Sequence, residues 1–359
     1  MTNVNRAAAS KSNGEARTPR RATLADVAAL ARVSLATADR VVHDRRGTGE
    51  ATRKRVLAAA VKLDYIASAT VERLLRPAPQ RLLFVLPRGT NRFIDLLAEY
   101  AHRIEAHLTP YNVRGKVRWV EAFKPEVLAQ ELLRQGRKAD AIAYVPLDHP
   151  MVRDATNRLV EEGRPVITLA TDLAESKRTA YVGLDNYAAG RTAAQVMAHW
   201  AHRGTGSIVL ISGSPRYRGH GERELGFRNA LAEMYSNLNV TASREGHDDP
   251  QRTYQRAKEL ITQNGGLVGL YNVGGGQAGV ARALREAGLA GKVVFIGHEL
   301  TPETRAFLFD GTMAAVIHQN PQIEVMNCVR VMANVRAGHK PMEGIEPLRI
   351  ALILKENVP

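Results

Sequence analysis

Short β-branched or apolar runs recur from residue 81 onward: RLLFVL (81–86), VRWVEAF (117–123), AIAYV (141–145), PVITLA (165–170), SIVLIS (207–212), GLVGLY (266–271) and KVVFIG (292–297). Between and after them the apolar residues take helical spacing, over 93–108, 125–136, 150–162, 186–203, 222–235, 251–263, 277–288 and 302–310. Near-continuous apolar strands suit sheets covered on both faces. Their regular alternation with helices predicts parallel sheets with helices on either side. About ten such units exceed one ordinary sheet, so the pattern predicts two doubly wound α/β lobes, with a break near Gly183–Asp185. Two late runs, AAVIH (314–318) and PLRIALIL (347–354), flank a further helix at 321–337.

Ahead of this core the character differs. Residues 23–43, TLADVAALARVSLATADRVVH, read as two short helices and a tight turn. Thr23 is placed to cap the first helix, with Asp26 as its capping-box partner. Val27, Ala28, Leu30 and Ala31 form its apolar side, and Ser34 can cap the second helix. Ala28, Ala36 and Ala38 are small enough for the helices to cross closely. This is an all-α helix-turn-helix headpiece, whose second helix enters the DNA major groove. Leu35 and Ala36 suit thymine methyls there, and Arg40 suits a guanine edge. A third helix follows at 50–63, and Arg76-Pro77-Ala78-Pro79 stops a short helical segment at 68–75.

The run 22–76 resembles the DNA-binding region of the lactose/purine repressor family. The resemblance is carried by T-L-x-D-V-A, V-S-x-A-T, Arg40-Val41-Val42, T-R-x-R-V, L-D-Y and Leu74. It implies a DNA-contacting set of Thr23, Ser34, Leu35, Ala36, Thr37, Arg40, His43, Thr52 and Leu74, the last wedged into the minor groove from a hinge helix. It also implies a homodimer on a palindromic operator and a core like a periplasmic sugar-binding protein (type I), in which the chain crosses three times between lobes. The expected layout is a disordered basic tail (1–21), a helix-turn-helix domain (22–66), a hinge and linker (67–80) and an effector-binding and dimerisation domain (81–359). Lobe 1 would take about 81–183 and 319–341, and lobe 2 about 184–318 and 342–359. The chain departs from the family at Asp39, commonly Ser facing phosphate, and at His43, commonly Asn. An acid near phosphate repels unless it pairs with an Arg such as Arg40 or reads a cytosine amino group.

Charge agrees with this division. The formal net charge is +14, and residues 1–80 hold fifteen Lys/Arg against seven acids, so more than half of the excess sits in under a quarter of the chain. That is the footprint expected where a protein meets phosphates. A hydrophobic content of 45% points to a globular chain rather than a disordered one. The lone Cys328 cannot form an internal disulfide, which fits a reducing compartment. The basic N-terminus lacks the apolar segment of a signal peptide, and no run approaches 18 apolar residues. A cytoplasmic location is the expectation.

In open α/β sheets ligands bind beyond the carboxyl ends of the strands. The candidates at those positions are Asn91 and Phe93, Asp172, Asn272, Glu299 and Gln319, and the resemblance adds Arg223, in G-E-R-E-L-G-F. A carboxylate pair, a guanidinium, amides and an aromatic ring suit a sugar, polyol or sugar acid. The resemblance places an aromatic ring at Phe93 over the ligand. It makes Glu299, commonly Asp, a longer acid calling for a smaller or shifted ligand. An alternative stays open. Gly274–Gly279 satisfies G-x-G-x-x-G between a strand and a helix, and Glu299 ends a strand about twenty residues later. That spacing fits a dinucleotide-binding dehydrogenase or redox-sensing regulator, although the fingerprint normally opens its domain. No catalytic constellation stands out, so neither an enzyme nor a cofactor is expected. His199 and His202 lack a neighbouring cluster of metal ligands.

Overall fold

The computed structural model describes residues 21–45, 47–67, 70–71, 79–107, 111–201 and 205–359. The chain forms two compact units, Met1–Ala78 and Pro79–Pro359. The tail up to residue 20, most of the hinge including Leu74, and His202 lie outside the described residues.

In the N-terminal unit, helix α1 (Leu24–Ala31) starts at the expected capping box. Thr23 N donates to Asp26 Oδ2 at 2.8 Å, and Asp26 N donates back to Thr23 Oγ1 at 3.4 Å. It ends where Arg32 turns left-handed at φ 52, and Val33 N reaches Ala28 O. Ser34 caps α2 (Leu35–Val42) by accepting from Thr37 N at 3.2 Å. α3 (Glu50–Lys62) closes a small core of Val27, Ala31, Ala38, Val41, Val56 and Leu57. Every buried residue of α2 is therefore needed to hold it on its neighbours, and the opposite face is left to solvent.

The C-terminal unit contains two sheets. The first comprises β1 (Gln80–Arg88), β2 (Val113–Glu121), β3 (Ala141–Tyr144), β4 (Val166–Leu169) and β5 (Ala180–Val182), all parallel, in the order β2-β1-β3-β4-β5. The intervening helices are α4 (Arg92–His107), α5 (Pro125–Gly136) and α6 (Pro150–Glu161). The second sheet comprises β6 (Gly206–Ser212), β7 (Leu238–Glu245), β8 (Leu267–Asn272), β9 (Val294–His298), β10 (Ala315–His318) and β11 (Ala351–Ile353), in the order β11-β10-β9-β8-β6-β7. Its helices are α7 (Asn186–Trp200), α8 (Arg218–Met234), α9 (Pro250–Gln263), α10 (Gln277–Glu286) and α11 (Pro302–Phe309). β11 runs antiparallel to β10, so this lobe is not wholly parallel. Helix α12 (Pro321–Arg336) lies between β10 and β11 in sequence, yet its Val325, Cys328, Val329 and Met332 belong to the first lobe's core. Leu348 packs against the cores of both lobes as the chain returns.

Helix starts follow local chemistry. Proline occupies the first turn of α5, α6, α9, α11 and α12, where its missing N–H costs nothing. Asp185, Asp249, Thr301 and Asn320 cap α7, α9, α11 and α12 with side-chain oxygens. Two glycines set the spacing of α7 and α8. A Cβ on Gly190 would lie 1.9 Å from Arg223 O, and one on Gly226 would lie 2.1 Å from Tyr187 O. That close crossing delivers Arg223 to the mouth of the second sheet.

Candidate functional site

The carboxyl ends of both sheets face a cleft of about 410 Å³, the size of a small-molecule pocket. Asn91, Phe93, Arg223, Glu299 and Gln319, all expected from the sequence, line it. The chain bends sharply there. Phe123, Ala170, His247, Asp248 and Glu299 have positive φ and are five of the eleven such non-glycine residues described. Strained backbone of this kind concentrates at functional sites, because it re-aims side chains at strand ends.

Arg223 is buried on α8. Its Nε donates to Asn186 Oδ1 at 2.7 Å and one terminal nitrogen donates to Val273 O at 3.1 Å. The guanidinium is thus locked in place by neutral acceptors and keeps its charge for the cleft. Across the mouth, Glu299 Oε1 accepts from Gln319 Nε2 at 2.6 Å, and Oε2 lies 3.3 Å from His318 Nδ1. The longer acid is anchored on its own lobe. Gln319 Oε1 is left buried without a partner among the described residues.

Two expected residues do not line the cleft. The Asp172 carboxylate pairs with Arg178 through both oxygens and also accepts from Thr168 Oγ1 and Leu173 N at 2.8 Å. With its lone pairs committed there, the wall at this point is Ala170 and Thr171. Asn272 is fully buried one layer below. Its Nδ2 donates to Gly275 O and Gln277 Oε1, which shapes the glycine turn, and its Oδ1 has no partner among the described residues.

Asp248 is the residue that sequence reasoning missed. Its Oδ2 accepts from Asn91 Nδ2 at 3.2 Å, its backbone carbonyl accepts from Thr90 Oγ1 at 2.9 Å, and its Oδ1 accepts from Gly275 N at 2.7 Å. It therefore ties the first lobe to the second. The rim is bridged again where an Arg216 terminal nitrogen donates to Phe123 O at 3.0 Å and Asp148 N donates to Arg216 O at 2.8 Å. Phe123 packs between Tyr217 and His247, with ring centroids 5.4 and 5.3 Å away. These residues follow β2, β6 and β7. The signal for Asp248 was G-H-D-D-P at 246–250, unreadable without recognising β7 before it.

Two histidines floor the cleft, His298 buried and His220 half-buried. His220 Nδ1 accepts from Ser214 N at 3.1 Å, and burial holds its ring below the ordinary histidine value against the pull of Asp248. His298 meets the Tyr271 hydroxyl at 2.7 Å; burial, aided by Arg223, keeps it well below that value too. Both rings are neutral near pH 7 and offer hydrogen bonds rather than charge.

The glycine turn is a poor dinucleotide cradle. The Gly275 N–H that would face a pyrophosphate already serves the Asp248 carboxylate, which would repel one. Among the described residues no group of three or more His, Cys, Asp or Glu could hold a metal ion. His199 Nδ1 is turned to Gln195 O at 2.8 Å. No described helix is long and apolar enough to cross a membrane.

On the headpiece, Leu35, Ala36 and Arg40 are exposed on α2 and His43 is exposed at its C-cap, while Ala38 and Val41 are buried. Thr23 and Ser34 cap their helices, Thr37 and Thr52 are half-buried, and Arg45 rather than Arg40 pairs with Asp39.

Residues 23–68 match the family model described as bacterial regulatory proteins, lacI family, and residues 126–340 match the periplasmic binding protein domain. The chain is similar to the ribose import binding protein RbsB of Salmonella typhimurium, 27% identical over 303 residues that cover 84% of this chain and 97% of that one. It is also similar to the HTH-type transcriptional regulator GalR of Salmonella typhimurium, 26% identical over 282 residues, covering 77% and 80%. Among solved structures it resembles GanP, a glucose-galactose binding protein from Geobacillus stearothermophilus, with a TM-score of 0.71 at 24% identity, over 79% of this chain and all of that one. That likeness shows the two-lobed fold. With the periplasmic-binding-protein model spanning more than half of its length, the chain belongs to the proteins built on a periplasmic binding protein domain, and its residues 23–68 carry the helix-turn-helix of the bacterial regulatory proteins, lacI family.

Proposed function

We propose that the protein is a transcriptional repressor that binds a palindromic operator as a cytoplasmic homodimer, without enzymatic activity, and is controlled by a small sugar or polyol in the interlobe cleft. One observation carries the reading: a headpiece with an exposed reading face shares a chain with a cleft whose walls come from both lobes. Asn91 and Phe93 supply one wall; Arg223, Asp248, Glu299 and Gln319 supply donors and acceptors for hydroxyls from the other side. A ligand touching both walls favours the closed lobes. Closure shifts the spacing of the two hinges in a dimer and so changes operator affinity by linkage. The relatives' names, ribose, glucose and galactose, indicate the size of ligand to try first.

The test is a thermal-shift screen of the full chain against aldoses, polyols, sugar acids, purines and NAD, followed by DNA binding with the hit. A sugar or polyol should raise the melting temperature and alter affinity for a duplex selected from a random pool. Stabilisation by NAD alone would overturn the reading.

A further inference from the structure

The departure at Asp39 has a structural answer, and it gives the reading helix a property its sequence pattern does not advertise. Asp39 sits half-buried on α2, beside exposed Arg40. Its Oδ2 accepts from an Arg45 terminal nitrogen at 3.0 Å. Its Oδ1 lies 3.0 Å from His43 Nδ1, and the same nitrogen lies 3.1 Å from Asp39 O. Both partners of Nδ1 are acceptors, so Nδ1 carries a hydrogen and donates to them. In the neutral ring the other nitrogen, Nε2, is then a bare acceptor. Only in the protonated ring does Nε2 become a donor. The His43 side chain is 54% exposed, and Nε2 has no protein partner among the described residues.

We propose that Asp39 is a positioning residue that holds His43 and Arg45 as a proton-dependent phosphate clamp at the end of the DNA-reading helix. The inference rests on reading α2 as the DNA-facing element. With His43 neutral, Asp39 cancels Arg45 and the Nε2 lone pair meets a phosphate oxygen, acceptor against acceptor. With His43 protonated, the trio carries net positive charge and Nε2–H donates to that oxygen, a charge-assisted bond. The other charged groups described on or beside the three helices are Arg21, Asp26, Arg32, Arg40, Asp44, Glu50, Arg53, Lys54, Arg55, Lys62 and Asp64. Asp44 pairs with Arg53 and Glu50 with Lys54. None is a histidine, and His43 is the one histidine in residues 1–78.

The experiment uses full-length protein and a duplex that it selects from a random pool, with affinity measured by fluorescence anisotropy at pH 6 and pH 8 over a range of salt. Wild type should bind about tenfold tighter per headpiece at pH 6, with a salt slope steeper by about one phosphate contact per headpiece. His43→Gln should lose that pH-dependent part and keep the rest, so any titration in the core lobes stays visible in it as background. Asp39→Asn should bind more tightly than wild type at pH 8, because Arg45 is no longer neutralised, and should show a shallower pH dependence. His43 is exposed and Asp39 half-buried, and neither belongs to the apolar core of the headpiece. Superimposable pH profiles for wild type and His43→Gln, or weaker binding by Asp39→Asn at pH 8, would overturn the clamp while leaving the DNA-binding reading intact. Failure of wild type to bind any duplex at either pH would overturn both.

Discussion

Glu324, in the first turn of α12, offers a measurable consequence of burying an acid without a partner. The residue is fully buried, and neither carboxylate oxygen has a hydrogen-bond partner among the described residues. Burial, reinforced by the negative charge of Glu299, pushes its carboxyl well above the ordinary 4.5, against the opposing pull of Arg223. A carboxyl raised in the folded state contributes stability that is fully present below its unfolded value. That contribution is lost as pH rises through the folded value. Each pH unit between the ordinary value and the raised folded one costs about 1.4 kcal/mol. Glutamine has the same shape, stays neutral and leaves a comparable pair of polar atoms unmatched, so Glu324→Gln removes only the charge problem. The variant should therefore equal wild type near pH 4.5 and gain on it by about 1.4 kcal/mol per pH unit until the pH passes the raised folded value. Both tryptophans, Trp119 and Trp200, lie in the C-terminal unit, so their fluorescence reports its unfolding alone. Urea midpoints from pH 5 to 8 give the comparison. A gap that does not change with pH, or a variant less stable than wild type at pH 8, would refute the reasoning and mean that Glu324 is ionised and compensated.

The other predictions concern the reading helix and the cleft. Arg40→Ala should weaken binding to the selected operator by about 1–3 kcal/mol and relax preference at one base pair per half-site; equal losses on random DNA would speak against base reading. Arg223→Ala should cost effector affinity about 2–4 kcal/mol and also lower the melting temperature, because Asn186 Oδ1 and Val273 O lose their donor; calorimetric titration and a melting curve separate the two effects. Asp172→Ala should lower stability by about 1–3 kcal/mol through the abandoned Arg178 and leave effector affinity within twofold, and a larger affinity loss would return Asp172 to the binding site. Asp248→Ala should weaken effector binding without disturbing either sheet, since its side chain joins Asn91 to Gly275 and packs in neither core; unchanged affinity would remove it from the closure mechanism.

The fold was readable where burial is two-sided. Strands β1, β3, β4, β8 and β9 are almost wholly apolar because helices cover both faces, and they stand out from any polar background. β7 and β5 were invisible for the opposite reason. β7 is an edge strand, LNVTASRE, with only its first residue buried, and its composition matches an ordinary loop. β5 spans three residues and closes the other sheet's edge. The antiparallel β11 was also expected longer, over 347–354, but only Ala351–Ile353 pairs with β10.

For the site the limit was different: Asp248 aside, the acids were visible, but their partners were not. Asp172, Glu299 and Asp39 all stood at positions where a ligand or phosphate contact was plausible. What each does depends on the nearest cation or amide, and that neighbour is supplied by tertiary structure. Asp172 faces Arg178 from the turn before β5, so its charge is spent inside the lobe. Glu299 sits on a left-handed residue between β9 and α11 and is steadied by Gln319 and His318 from the end of the adjacent strand, so its charge stays at the cleft. Asp39 is held by two residues from beyond its own helix, His43 and Arg45, so an acid that should repel DNA becomes the acceptor that positions a ring and a guanidinium. Carboxylates of one chemistry thus take three roles, because a charge near ~4 Å interacts several-fold more strongly in a partly dry site than in water. Motif position selects the candidates, but the counter-charge within reach decides which of them meets a ligand.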